Sequence, residues 1–91
     1  MKSQTTSAFR KLFNSLPVEI RDQARAAFQV FAADPHHPSL HFKRVHETEP
    51  VFSARVGRSY RVVGLREEAD LIVWFWIGPH EKYETLLANL Y

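Results

Sequence analysis

The sequence predicts an α+β fold, with two N-terminal helices packed on a four-stranded antiparallel sheet and a short C-terminal helix. Three observations carry that expectation. Apolar residues recur at helical spacing up to Phe31, at alternate positions from Leu40 to Leu65, and at every position from Leu71 to Ile77. Such patterns belong, in turn, to helices lying on a core, to strands covered on one face, and to an interior strand covered on both.

Each element follows from particular residues. Phe9, Leu12, Phe13 and Leu16 fall at i, i+3, i+4 and i+7, and the Thr5-Thr6-Ser7 run offers an N-cap, so a first helix runs toward Pro17. Pro17 suits the first turn of a second helix, with Ile20, Ala24, Ala27, Phe28 and Phe31 on one face and Glu19, Arg21, Asp22 and Arg25 mostly in water. Asp34-Pro35 ends it, because a residue before proline is pushed out of the helical region. Period two begins weakly at Leu40, Phe42 and Arg44 and strengthens over Val51 to Val56 and Tyr60 to Leu65, which Gly57-Arg58-Ser59 divide. Glu67 to Asp70 read as a polar turn before the run Leu71 to Ile77, whose β-branched and aromatic content favours strand over helix. Gly78-Pro79 stops that strand, and a last helix over residues 80 to 89 buries Tyr83, Leu86, Leu87 and Leu90.

Composition bounds the function. Ninety-one residues, 45% apolar, suffice for one core, so residues 1–91 are expected to form a single domain. The absence of cysteine excludes a disulfide framework and a thiolate zinc site and fits a reducing cytoplasm. No apolar run approaches the roughly 18 residues of a membrane span, and the N-terminus lacks the apolar core of a signal peptide, so no membrane partner is expected. The net charge is only +2, but residues 41 to 66 hold six Lys/Arg against two acids, and the remainder six against eight. Positive charge is therefore concentrated on the sheet, which favours a polyanionic partner.

Two constellations bear on chemistry. With residues 57–59 as the loop, Val56 opposes Tyr60, Ala54 opposes Val62, and Arg55 and Arg61 face each other. Like charges so placed cost roughly 0.2 to 1 kcal/mol. An anion such as phosphate between the guanidiniums would offset that cost through charge-assisted, bidentate hydrogen bonds. The plainer reading pairs the arginines with Glu47, Glu49 or Glu67. His80 and Tyr83, three apart, share one helical face directly after Gly78-Pro79. An imidazole exchanges protons near neutrality and a phenol donates to or orients a phosphate; equally, the histidine closes a turn and the tyrosine packs beneath the sheet. His36, His37, His41 and His46 are irregularly spaced and lack carboxylate or thiolate companions at ligand spacing, so neither a metal nor another cofactor is expected. No phosphate-cradling glycine loop, Gly-x-Ser-x-Gly elbow or cysteine nucleophile is present.

The helical hairpin FRKLFNSLPVEIRDQARAAFQVF, followed by HPSLHFKRV, SARVGRSYRVV and IGPHEKYE, resembles the toxin subunits of the RelE/ParE superfamily of bacterial toxin-antitoxin systems over nearly the whole chain. The resemblance implies a compact sheet carrying two N-terminal helices. In the RelE-like branch it implies metal-independent endonuclease cleavage of mRNA on the ribosome, blocking translation, by attack of the ribose 2′-hydroxyl on the adjacent phosphate. Position by position, Arg61 matches the arginine that stabilises the phosphorane, and Arg55 the arginine of the preceding strand. His80 matches a proton donor or acceptor near the chain end, and Tyr83 the aromatic that stacks on or hydrogen-bonds the nucleotide; Lys43, Arg44 and Arg58 would bind RNA backbone. The second proton carrier has no matching residue, Glu47 and Glu49 being candidates on or beside a strand. A cognate antitoxin is also implied, landing in the apolar groove between the helices and the sheet and hiding the basic face. In the ParE-like branch the target is DNA gyrase, the arginines are surface residues and His80 only a turn residue; a degenerate member would bind its antitoxin without toxicity.

Overall fold

The computed structural model describes residues 1–90, and the chain runs β1 (Lys2–Thr5), α1 (Ser7–Asn14), α2 (Val18–Ala33), a 3-10 turn (Pro38–Leu40), β2 (Lys43–Arg44), β3 (Val51–Val56), β4 (Tyr60–Glu68), β5 (Leu71–Pro79) and α3 (His80–Asn89). The strands form one sheet in the order β1-β5-β4-β3-β2. The α+β class stands, but the sheet differs from the expected four antiparallel strands. It has five, and it is mixed, because β1 pairs parallel with β5, from Lys2 against Leu71 to Thr5 against Trp74. Lys-Ser-Gln-Thr carries no apolar alternation because this edge strand buries almost nothing of its own. Its hold is long-range: the Trp74 indole N–H donates to Ser3 Oγ at 3.1 Å, and the Thr6 amide donates to the Trp74 carbonyl at 3.0 Å.

Other boundaries move for local reasons. Thr6 caps α1, its hydroxyl oxygen accepting from the Phe9 amide at 3.1 Å, and α1 ends at Asn14, short of Pro17. The weak strand expected from Leu40 shrinks to Lys43–Arg44, since Leu40 is buried in the 3-10 turn and His41 takes a left-handed conformation (φ 45°) that interrupts extended chain. β4 continues through Glu68, leaving Ala69-Asp70 as the turn.

Alternation along the strands builds a core on each face. On one face Ala54, Val56, Val62, Ile72, Trp74 and Ile77 meet Phe9 of α1 and Ala24 and Phe31 of α2. Trp74 is its hub, wholly buried, with ring centroids 5.4 Å from Phe31 and 5.9 Å from Phe28. On the other face Val51 and Val63 meet Tyr83 of α3, flanked by Phe75, Trp76, Leu86 and Leu87. Helices on both faces account for the unbroken apolar run of β5. A register shift opposite Val63/Gly64 inserts Phe75 as an extra residue, which sets Phe75 and Trp76 together on the α3 side.

Candidate functional site

The β3–β4 hairpin pairs in the register its loop dictates, with Val56 opposite Tyr60, Arg55 opposite Arg61 and Ala54 opposite Val62. Gly57 makes the turn possible with a left-handed φ of 59°, where a Cβ would be strained and would also strike the Gln23 side chain. Ala54, Val56 and Val62 point into the α1/α2 core, so Arg55 and Arg61 share the opposite face with Ser53 and Val63, where α3 lies. The start of α3 is tied to the same hairpin, the His80 amide donating to the Ser59 carbonyl at 2.7 Å. As a result Arg58, Ser59, Arg61, Pro79, His80 and Glu81 line one open depression of about 520 Å³. Behind it, Gly78 lies opposite Arg61, and a Cβ there would come within 2.6 Å of the Trp76 ring. Glycine thus leaves room for the Trp76 ring beside this part of the strand.

Charge in this region is poorly neutralised. Arg61 donates through Nη1 to the Tyr60 carbonyl at 2.9 Å. Burial first, and then the charge of Arg55 across the strands, lower its pKa from the ordinary arginine value, while Tyr83 and Glu84 act in the opposite direction. The Arg55 Nε is buried without a hydrogen-bond partner. Ion pairs among the described residues join the N-terminus to Asp70, Arg25 to Asp22 and His80 to Glu84, so neither arginine pairs with Glu47, Glu49 or Glu67. Arg55 and Arg61 oppose each other in register without a direct counter-ion among the described residues, but only Arg61 lines the depression. Arg55 also borders the groove beside α2 with Gln23, Ala27 and Leu40, so Arg61 is the guanidinium placed there to grip a phosphate.

His80 is half-exposed, with Nε2 3.4 Å from Glu84 Oε1 and its ring 5.8 Å from that of Tyr83. Tyr83 is buried, and its hydroxyl donates to Ser53 Oγ at 3.0 Å. The imidazole and the phenol therefore share a face, as their spacing predicts, with the phenol's proton engaged inside the protein. Lys43 lies opposite Ser53 on the edge strand, on the α3 side and beside Arg55 along the sheet. Arg44 lies opposite Phe52 on the other face, and its Nε donates to the His46 carbonyl at 3.0 Å. The structure thus brings Arg58, Arg61 and His80 to one depression, sets Arg55 against Arg61, and puts Tyr83 behind, Lys43 on the flank and Arg44 around the edge. Glu47 and Glu49 are exposed in the connection between β2 and β3.

Ser59, Glu81 and Glu84 escape the sequence reading. Glu84 had a usable signal, its place one helical turn beyond His80. Ser59 had none, because its part depends on a backbone bond to a residue far along the chain.

Known proteins agree with this layout. Residues 18–85 match the ParE-like toxin domain family. A chain of the RelB-RelE antitoxin-toxin complex from Methanococcus jannaschii has a TM-score of 0.71 at 15% identity, over 91% of this chain and 96% of that one. YafQ from E. coli gives 0.70 at 8%, over 90% and 96%. The RelBE2 toxin-antitoxin complex from Mycobacterium tuberculosis gives 0.69 at 22%, over 87% and 96%. At such identities these likenesses speak for the fold alone. No curated protein matches the chain by sequence. The family match spans α2 through most of α3, including the hairpin and the depression, and on it the chain belongs to the ParE-like toxin domains of the RelE/ParE superfamily, the toxin components of toxin-antitoxin modules.

Proposed function

We propose that this toxin is an endoribonuclease that cuts mRNA on the ribosome and so blocks translation. The observation that supports it is the Arg55–Arg61 pair, without a direct ion-pair partner among the described residues, beside a depression that Arg58, Arg61 and His80 line. In this reading the ribose O2′ attacks the adjacent phosphorus and the P–O5′ bond breaks, leaving a 2′,3′-cyclic phosphate and a 5′-hydroxyl. One proton leaves the 2′-hydroxyl and one joins the departing oxygen. The guanidiniums of Arg61 and Arg55 stabilise the charge that builds on the phosphorane, the kind of preorganised electrostatics that usually supplies the largest catalytic term. Burial has already stripped Arg61 of part of its solvation, so a phosphate oxygen restores what water cannot. His80 carries one of the proton transfers, worth roughly 10² to 10⁴ in rate. Tyr83 backs the imidazole, while Lys43, Arg58 and, from the edge, Arg44 hold the RNA backbone.

The toxin works in the cytoplasm as a single domain, under control of a cognate antitoxin that covers the basic face. The apolar depression that offers that antitoxin anchorage, of about 330 Å³ and lined by Phe9, Phe13, Phe28, Arg10 and Arg25 among others, lies between α1 and α2 rather than between the helices and the sheet. It is on the opposite side of the sheet from His80, so the antitoxin wraps round the sheet edge to reach both. The test is to incubate the protein with translating ribosomes and map mRNA ends: new ends with the wild type and none with His80→Ala are expected. An intact message with the wild type removes the nuclease reading. The ParE-like family match favours a second reading, inhibition of DNA gyrase, in which supercoiling is blocked equally by the wild type and by His80→Ala.

A further inference from the structure

We propose that Glu84 is the positioning residue for His80, an inference that rests on the nuclease reading above. Its Oε1 lies 3.4 Å from His80 Nε2, one helical turn along α3. Around the imidazole stand the buried Tyr83 ring at 5.8 Å and the Ser59 carbonyl, which binds the backbone amide of His80 at 2.7 Å. The other charged groups at this end of the site are Glu81 on the same helix and Arg58 and Arg61 on the hairpin. The carboxylate faces Nε2 at a distance beyond ordinary hydrogen-bond length, and its charge favours the tautomer with the proton on Nε2, leaving Nδ1 as the nitrogen that exchanges a proton with the substrate. This is the logic by which a base is oriented by a third group.

Glu84 is not the second proton carrier. An in-line displacement at phosphorus puts the attacking and leaving oxygens on opposite sides, and a carboxylate in contact with His80 sits on the same side as His80. Nor is the pair there for stability. Its side chains are 50% and 64% exposed, and exposed pairs of this kind contribute little to folding.

The test uses the full chain carrying Glu84→Ala or Glu84→Gln and reads the ¹⁵N shifts of the His80 ring at a pH where the imidazole is neutral. The wild type should show the Nε2-protonated tautomer, Glu84→Ala a mixture, and Glu84→Gln, which keeps an acceptor oxygen, an intermediate pattern. Melting temperatures should stay level. On ribosomes kcat should fall about 10- to 100-fold in Glu84→Ala with KM unchanged, and recover in part in Glu84→Gln. Unchanged ring shifts, or wild-type kcat in Glu84→Ala, overturn the proposal. If the wild type cuts nothing while the ring shifts still respond to Glu84→Ala, the positioning role stands and the nuclease reading falls.

Discussion

Arg55 and Arg61 oppose each other across β3 and β4, and like charges so placed cost the fold stability. Arg55→Gln should therefore raise unfolding stability by roughly 0.2 to 1 kcal/mol in urea titrations while cleavage is lost. A drop in stability would mean that Arg55 supports the fold and that the cost of the pairing is not functional. Arg61 gives a prediction for pH. Its folded pKa is depressed, so the stability linked to its neutral form is present only above the unfolded arginine value and is lost as pH falls through the folded one. Across about pH 6 to 9 the group is charged in both states. The stability difference between the wild type and Arg61→Gln should then be independent of pH in that window, and a slope in paired urea titrations would show that another group titrates with it. The face-to-face arginines were legible in the sequence because a three-residue loop fixes which residues oppose each other. Tyr83 was legible as a helix residue sharing the His80 face, but the buried Ser53 that takes its hydroxyl proton was not, since nothing local links a mid-strand serine to a helix formed thirty residues later.

At the scale of elements, the parts that could be read are those whose own side chains declare them. α1, α2, β3 and β5 carry their burial in their periodicity, and Thr6 announces a cap. β1 could not be read, because an exposed strand of polar residues owes its existence to the backbone edge of β5 and to the Trp74 indole. β2 was overread for the opposite reason: Leu40 and Phe42 alternate as in a strand, yet the left-handed backbone at His41 sends Leu40 into the core from a turn. β5 also contains Gly78, which lies opposite Arg61 behind the depression. Gly78→Ala forces a Cβ into the Trp76 ring, and overpacking of that kind should cost about 1 to 3 kcal/mol in denaturant unfolding. Wild-type stability in that variant would mean that the ring moves aside freely and does not brace the site.

Across the whole molecule, the sheet separates two surfaces. The α3 side carries the arginine pair and His80, and the opposite side carries an aromatic groove between α1 and α2. A modest net charge of +2 conceals this division. Solved relatives keep the architecture at 8% to 22% identity, because core positions need only apolar groups of suitable volume, whereas chemistry rests on a few particular side chains. Family membership therefore follows from the chain as a whole, and activity has to be decided at the depression. The most direct measurement is an NMR titration of the isotopically labelled protein with a single-stranded oligoribonucleotide, following the Nε–Hε signals of Arg55 and Arg61 and the ring of His80. All three should move along one saturable binding curve, and Arg61→Gln should abolish the response. Shifts confined to Arg10 and Arg25 on the opposite face, or no saturation at all, would contradict a shared phosphate site.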